Sequence, residues 1–178
     1  MTKHKFTAGY VLAGVALVAV LLQTMATGYT AQEFLDNTTN CTMIARYVNN
    51  GVTGSFETHI DSIPTYNFNV TVGNGYFVNC GGNETYSASG TAPGSVMSNL
   101  VTGWNLLGWV STTSNSTAQG VLNGIGNTTA TMIARYVNTG SGTAQFETHI
   151  SGIPTYEFAV QAGEGYFINV NANTTWTR

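Results

Sequence analysis

The stretch TMIARYV stands at Thr42–Val48 and returns, letter for letter, at Thr131–Val137. The repetition runs on from there. FETHI at Phe56–Ile60 returns at Phe146–Ile150, and IPTY at Ile63–Tyr66 returns at Ile153–Tyr156. GNGYFVN at Gly73–Asn79 becomes GEGYFIN at Gly163–Asn169. Thr42–Asn79 therefore aligns with Thr131–Asn169, with one extra residue in a turn of the second copy. Roughly 25 of the 38 aligned positions are identical, far beyond chance self-similarity, so one structural unit is written twice.

Each unit reads mostly as strand. TMIARYV and FETHI are short runs rich in β-branched and aromatic residues, separated by Asn, Gly and Thr, which predicts a hairpin. In FAVQAGEGYFINV (Phe158–Val170), Gly163 and Gly165 mark a turn between two further strands. GWNLLGW (Gly103–Trp109) reads as a strand, and STAQGVLNGI (Ser116–Ile125) as one short helix with a Ser cap. The triplet TAQ recurs at Thr30–Gln32, so the helix is duplicated too. The fold class expected is mainly β: two duplicated modules of about 75 residues or less, each with one short helix, close to the lower limit for a stable core. An N-terminal hydrophobic segment, read as helical, precedes them. The divisions are 1–29 for that segment, 30–86 for the first module, 87–102 for a linker and 103–178 for the second module.

The copies differ at their starts and in their cysteines. GWNLLGW has no counterpart before the first copy, where the apolar N-terminal segment stands instead. The first module thus lacks its opening strand, and a sheet short of a strand invites pairing with another chain. Cys41 precedes TMIARYV and Cys80 follows GYFVN, whereas the second copy has Ala130 and Val170 there. In an exported protein, two such strand ends predict a Cys41–Cys80 disulfide.

Export is read from the N-terminus. MTKHK is basic, no charge follows from Phe6 to Gln32, and VLAGVALVAVLL (Val11–Leu22) has the length of a signal-peptide apolar region. Phe6–Tyr29 would also just span a bilayer, so cleavage after Thr24-Met25-Ala26 and retention as an anchor both stay open. Charged residues make up only 7%, against roughly a quarter in ordinary soluble domains, so solubility needs another source. Asn-X-Ser/Thr occurs at Asn37, Asn40, Asn69, Asn83, Asn115, Asn127 and Asn173, candidates for glycosylation on an exported surface. With a net charge of −3 and five Lys and Arg in all, there is no basic patch for nucleic acid.

Chemistry is hard to find. The duplicated ionisable residues are Arg46/Arg135, Glu57/Glu147 and His59/His149. Arg46 can lie opposite Glu57, and Arg135 opposite Glu147, as cross-strand ion pairs. His59 and His149 are read as surface residues. Glu-x-His could begin a metal site, but zinc wants three or four ligands and no third candidate is duplicated. No catalytic residue, metal or cofactor is assigned. Tyr47, Tyr66, Tyr76, Trp104 and Trp109 are read as core, with a sugar-stacking platform as the alternative.

W-N-L, a short helix, FETHI and GEGYF together resemble the repeat module of archaeal and bacterial secreted cell-surface proteins. In that module a W-N-L strand opens the unit and a Pro-Gly-x-Gly-Tyr-Trp/Phe turn closes it; here Val72 and Ala162 stand where proline is common. The resemblance covers Trp104 to about Trp176, and Thr30 to about Tyr86, and implies adhesive or structural roles at the cell surface. The N-terminal run KHKFTAGYVLAGVALVAVLL is similar in outline to the hydrophobic helix of type IV pilin-like subunits, without their early glutamate. The expectation is a non-enzymatic subunit of an extracellular filament or array, a homo-oligomer or polymer assembled through the N-terminal segment, either as a bundled helix or as a donated strand, with residues 6–29 in contact with the membrane at least during export. The alternative is a secreted or anchored carbohydrate-binding module with glycans as partners.

Overall fold

In both copies TMIARYV and FETHI pair as an antiparallel hairpin, with Arg46 opposite Glu57 and Arg135 opposite Glu147. A computed structural model describes residues 14–19 (backbone alone), 29–82, 95–110, 116–138 and 144–178. Its strands are β1 (Gly14–Ala19), β2 (Cys41–Asn49), β3 (Gly54–Ile60), β4 (Gly75–Cys80), β5 (Met97–Leu100), β6 (Gly103–Gly108), β7 (Ser116–Thr117), β8 (Ala130–Asn138), β9 (Ala144–Ile150), β10 (Ala159–Val160), β11 (Gly165–Val170) and β12 (Thr174–Thr177). The helices are α1 (Ala31–Asp36) and α2 (Ala118–Ile125). Two four-stranded antiparallel sheets result, ordered β1-β4-β2-β3 and β6-β11-β8-β9, with two-stranded ribbons β10-β7 and β12-β5 beside them.

Strand alternation gives each sheet two apolar faces. Tyr76, Val78 and Cys80 of β4 point to one side and join Phe34 and Leu35 of α1 in a core. Tyr166, Ile168 and Val170 of β11 do the same with Val121 and Leu122 of α2. Each helix presents residues i, i+3 and i+4 to its sheet: Ala31, Phe34 and Leu35, and Ala118, Val121 and Leu122. Thr30 and Glu33 form a capping box at the start of α1. Thr117, rather than the expected Ser116, caps α2, accepting from the Gly120 amide.

Two expectations change at this level. The N-terminal segment was expected to be helical, yet Gly14–Ala19 form a strand; the remainder, 1–13 and 20–28, lies outside the described residues. β1 pairs with β4 from Gly14↔Cys80 to Ala19↔Gly75, the places that β6 takes on β11 from Gly103↔Val170 to Gly108↔Gly165. The physical reason is the row of backbone donors and acceptors along β4, which would otherwise stay unpaired at the sheet edge. Second, residues 87–102 are more than a linker, since Met97–Leu100 pair with Thr174–Thr177 of β12. The alternation of exposed Met97 and Asn99 with buried Val96, Ser98 and Leu100 explains that strand. No helix among the described residues is long and apolar enough to cross a membrane, and most of the Phe6–Tyr29 span lies outside those residues.

The faces of the two sheets opposite the helices pack on each other. β6 lies across β2 and β4, and β1 lies across β8 and β11. Between them Leu106, Ala134 and Phe167 are buried with Tyr47, Phe77, Trp104 and Tyr136 around them. Phe77 and Phe167, equivalent residues of the two copies, meet with ring centroids 5.9 Å apart. Backbone links reinforce the contact: the Gly108 amide donates to the Gly73 carbonyl at 2.9 Å. Gly75 allows this closeness, because a Cβ there would stand 2.9 Å from the Leu107 carbonyl oxygen. Arg178 ties the same corner, donating to the carbonyls of Gly73 and Gly108 at 2.7 and 2.9 Å and stacking on Trp176. Burial lowers its guanidinium pKa to about 10.

Cys41 and Cys80 face each other across the β2–β4 ladder and form a disulfide, 39 residues apart in sequence. In the chain-entropy account a loop of that size contributes on the order of 4 kcal/mol. The second copy fills the equivalent positions with Ala130 and Val170, both buried. The double substitution Cys41→Ala/Cys80→Val should therefore still fold cooperatively but lose about 2–4 kcal/mol in urea unfolding. An unfolded product, or an unchanged midpoint, would contradict this.

Tyr76 and Tyr166 give a pH dependence. Each is fully buried, and each hydroxyl accepts a backbone N–H, from Thr71 and Gln161 respectively, at 2.8 Å. Burial is the main cause that raises both phenols above the ordinary 10.0, and the Glu164 carboxylate beside Tyr166 adds to it. A folded-state pKa above the unfolded one gives stability that is complete below the unfolded value. It is lost as pH rises past that value, because the unfolded chain releases the proton first. The melting temperature should thus fall above about pH 10. Phenolate absorbance should show tyrosines that ionise only with unfolding; free titration of all nine in the folded protein would refute it.

Candidate functional site

The duplicated ionisable residues sit on the helix side of each sheet. The Arg46 guanidinium meets the Glu57 carboxylate at 2.6 Å, and Arg135 meets Glu147 at 2.7 Å. Both pairs are about a third exposed, so each contributes modestly, roughly 0.2–1 kcal/mol. Each arginine also covers a phenylalanine ring: Arg46 lies 4.6 Å from the centre of Phe68, and Arg135 lies 4.7 Å from that of Phe158. Phe68 in turn stacks on Tyr76, and Phe158 on Tyr166. The column Arg–Phe–Tyr is a scaffold, identical in both copies.

The histidines are not on the surface as expected: His59 and His149 are each 1% exposed. FETHI alternates, so Glu57 and His59 share the inner face, and the edge strand brings His59 under the start of α1. His59 Nδ1 faces the Thr65 carbonyl at 3.1 Å and Nε2 faces Gln32 Oε1 at 2.9 Å, while the Ser62 amide donates to the same Gln32 oxygen. His149 repeats this with Thr155, Gln119 and the Gly152 amide, and Glu157 lies 3.3 Å from its Nε2. The signal that could have located this network is the duplicated Gln of TAQ, which the pattern of charges alone does not reveal. No group of three His, Cys, Asp or Glu able to hold a metal stands among the described residues.

What the network holds is a loop. Residues 61–66 and 151–156 end in Tyr66 and Tyr156, which carry φ of 57° and 61°, a left-handed conformation that costs a non-glycine residue roughly 1–2 kcal/mol. Both rings are largely solvent-exposed, at 69% and 80%, so packing does not repay that cost. The same left-handed turn is kept in both copies, and in the first the Phe68 amide donates to the Tyr66 carbonyl across it at 2.9 Å. Ile63 and Ile153 on the same loops are exposed as well.

The aromatic residues grouped by sequence are not one platform. Tyr76 and Trp109 are buried, Tyr66 is on its loop, and Tyr47 and Trp104 come together at the mouth of the contact between the sheets. There, with Phe146, Phe167, Ala134 and Thr148, they line an open cleft of about 350 Å³. Phe56 and Phe146, read from sequence only as strand residues, are half-exposed at the margins of that contact. Of the sequons, Asn37, Asn40, Asn69, Asn127 and Asn173 are exposed, and Asn83 and Asn115 lie outside the described residues. Comparisons with protein families, curated proteins and solved structures gave no match to this chain.

The histidine network makes its own prediction. Gln119→Leu removes the acceptor for the Gly152 amide and the partner of His149 Nε2, and should cost about 1–3 kcal/mol in urea unfolding. A change below a few tenths of a kcal/mol would show that the loop does not depend on it.

Proposed function

We propose that this chain is a non-enzymatic structural subunit of an extracellular cell-surface filament or array, assembled through its N-terminal segment. On this reading the two four-stranded sheets are two copies of one module. The first copy is the acceptor of a strand that need not come from its own chain. The observation that carries the proposal is the β1–β4 register, which matches the β6–β11 register position for position. β6 and β1 stand at nearly the same interval before their helices, Gly108 before Ala118 and Ala19 before Ala31, so β1 takes the opening-strand place of the first module. β1 comes from a segment that is apolar and uncharged from Phe6 onward, and exchange of such an identical element between protomers is a low-cost route to assembly. This favours strand donation over a bundled helical core.

Export, glycosylation and a surface location belong to the same proposal. A disulfide suits an oxidising compartment, and the exposed sequons suit glycans that would offset a surface poor in charge. The sugar-binding alternative draws on the cleft at Tyr47, Trp104, Phe146 and Phe167. That cleft is lined almost wholly by aromatic and apolar groups, with few of the directed polar contacts that orient a sugar, so it ranks second.

The test is electron microscopy and sedimentation of the full chain beside Ala16→Pro, which removes a ladder donor in β1, opposite Val78. Wild type should form polymers, and the variant should remain small. A wild type that stays monomeric at every concentration, or a variant that polymerises equally well, would overturn the proposal.

A further inference from the structure

The overlap of the two sheets is partial. β6 covers β2 and β4, and β1 covers β8 and β11, while β3 and β9 lie at the far end of each sheet, at the margin of the overlap, where Phe56 still reaches Phe167 of the other sheet. Each is an edge strand with one neighbour among the described residues. The face that each turns toward the other sheet's side is Phe56, Thr58 and Ile60, or Phe146, Thr148 and Ile150. It is only half-covered: Phe56 and Phe146 are 50% and 53% exposed, and Ile60 and Ile150 are 46% and 45% exposed. These faces carry no charge, because Glu57 and His59, like Glu147 and His149, point to the helix side. Neither strand bears the lysine or proline that ordinarily guards an exposed edge.

The chain itself displays what this surface packs against. Its covered part, Tyr47 and Phe77 of the first copy with Tyr136 and Phe167 of the second, is the same face of the same repeat sequence meeting itself. The half-covered margins continue that face without a break, since Phe56 touches Tyr47 and Phe77, and Phe146 touches Tyr136 and Phe167. We infer that the β3 margin of one copy of the chain laps onto the β9 margin of the next, extending between subunits the contact the two sheets make within one. Because every copy carries one margin of each kind, the joint is head-to-tail and adds copy to copy, as a filament or, where its rotation closes, as a ring. This deepens the reading of the chain as a self-assembling subunit and rests on it. Strand donation supplies the link, and the lap joint supplies a second, independent contact.

The experiment uses the full chain with Ile60→Lys, Ile150→Lys and the double variant Ile60→Lys/Ile150→Glu, each checked for an unchanged circular dichroism spectrum and melting temperature. Each single lysine should weaken polymerisation about tenfold or more, the loss expected when a charge enters an apolar joint, and the double variant should recover part of it. Wild-type polymers that persist unchanged in both lysine variants would overturn the joint and leave the filament reading intact. If the wild type does not polymerise, the filament reading fails, and the joint is decided separately by mixing Ile60→Cys with Ile150→Cys chains under oxidation. Cross-linked pairs formed between the two variants support it. Pairs formed only within one variant, or none, overturn it.

Discussion

The rest of the structure depends on the contact between Phe77 and Phe167 and the aromatic layer around them. Each sheet already has a helix and a dry core on one side. Its other side is apolar too, because Tyr47, Phe56 and Phe77, like Tyr136, Phe146 and Phe167, point away from the helix. A module of this size with two apolar faces does not bury both on its own, so it needs a second sheet. The duplication supplies one within the same chain.

The two copies solve the edge problem differently. The second has its opening strand, β6, attached in sequence beside it, and closes the β8–β11 end with Ala130 and Val170. The first takes β1 from the apolar N-terminal segment and closes the corresponding end with the Cys41–Cys80 bridge. The asymmetry lies in how the two copies fill these positions, a covalent bridge in one and apolar packing in the other.

Local patterns made much of this legible. The β-branched and aromatic runs with Asn/Gly turns gave both hairpins their registers, including Arg46 opposite Glu57, and TAQ located both helix starts. The cysteine positions gave the disulfide. What escaped was set by tertiary partners. His59 looks like a surface residue until Gln32 and the Thr65 carbonyl are placed beside it. Met97–Leu100 look like linker until β12 arrives from the C-terminal end to pair with them. The apolar run around Gly14–Ala19 suits a helix by composition, and only the vacant place beside β4 makes it a strand. The half-exposed margins at Phe56 and Phe146 depend on how far one sheet overlaps the other, which no single-strand pattern encodes.

Amide hydrogen exchange on the full chain, dilute and assembled, tests the account most directly. The amides of β4 should be protected in both states, because a β1 strand completes that sheet whether it comes from the same chain or a neighbour. Protection of β3 and β9 should rise only on assembly. Rapid exchange along the β1 side of β4, or margins equally open in the assembled state, would contradict it.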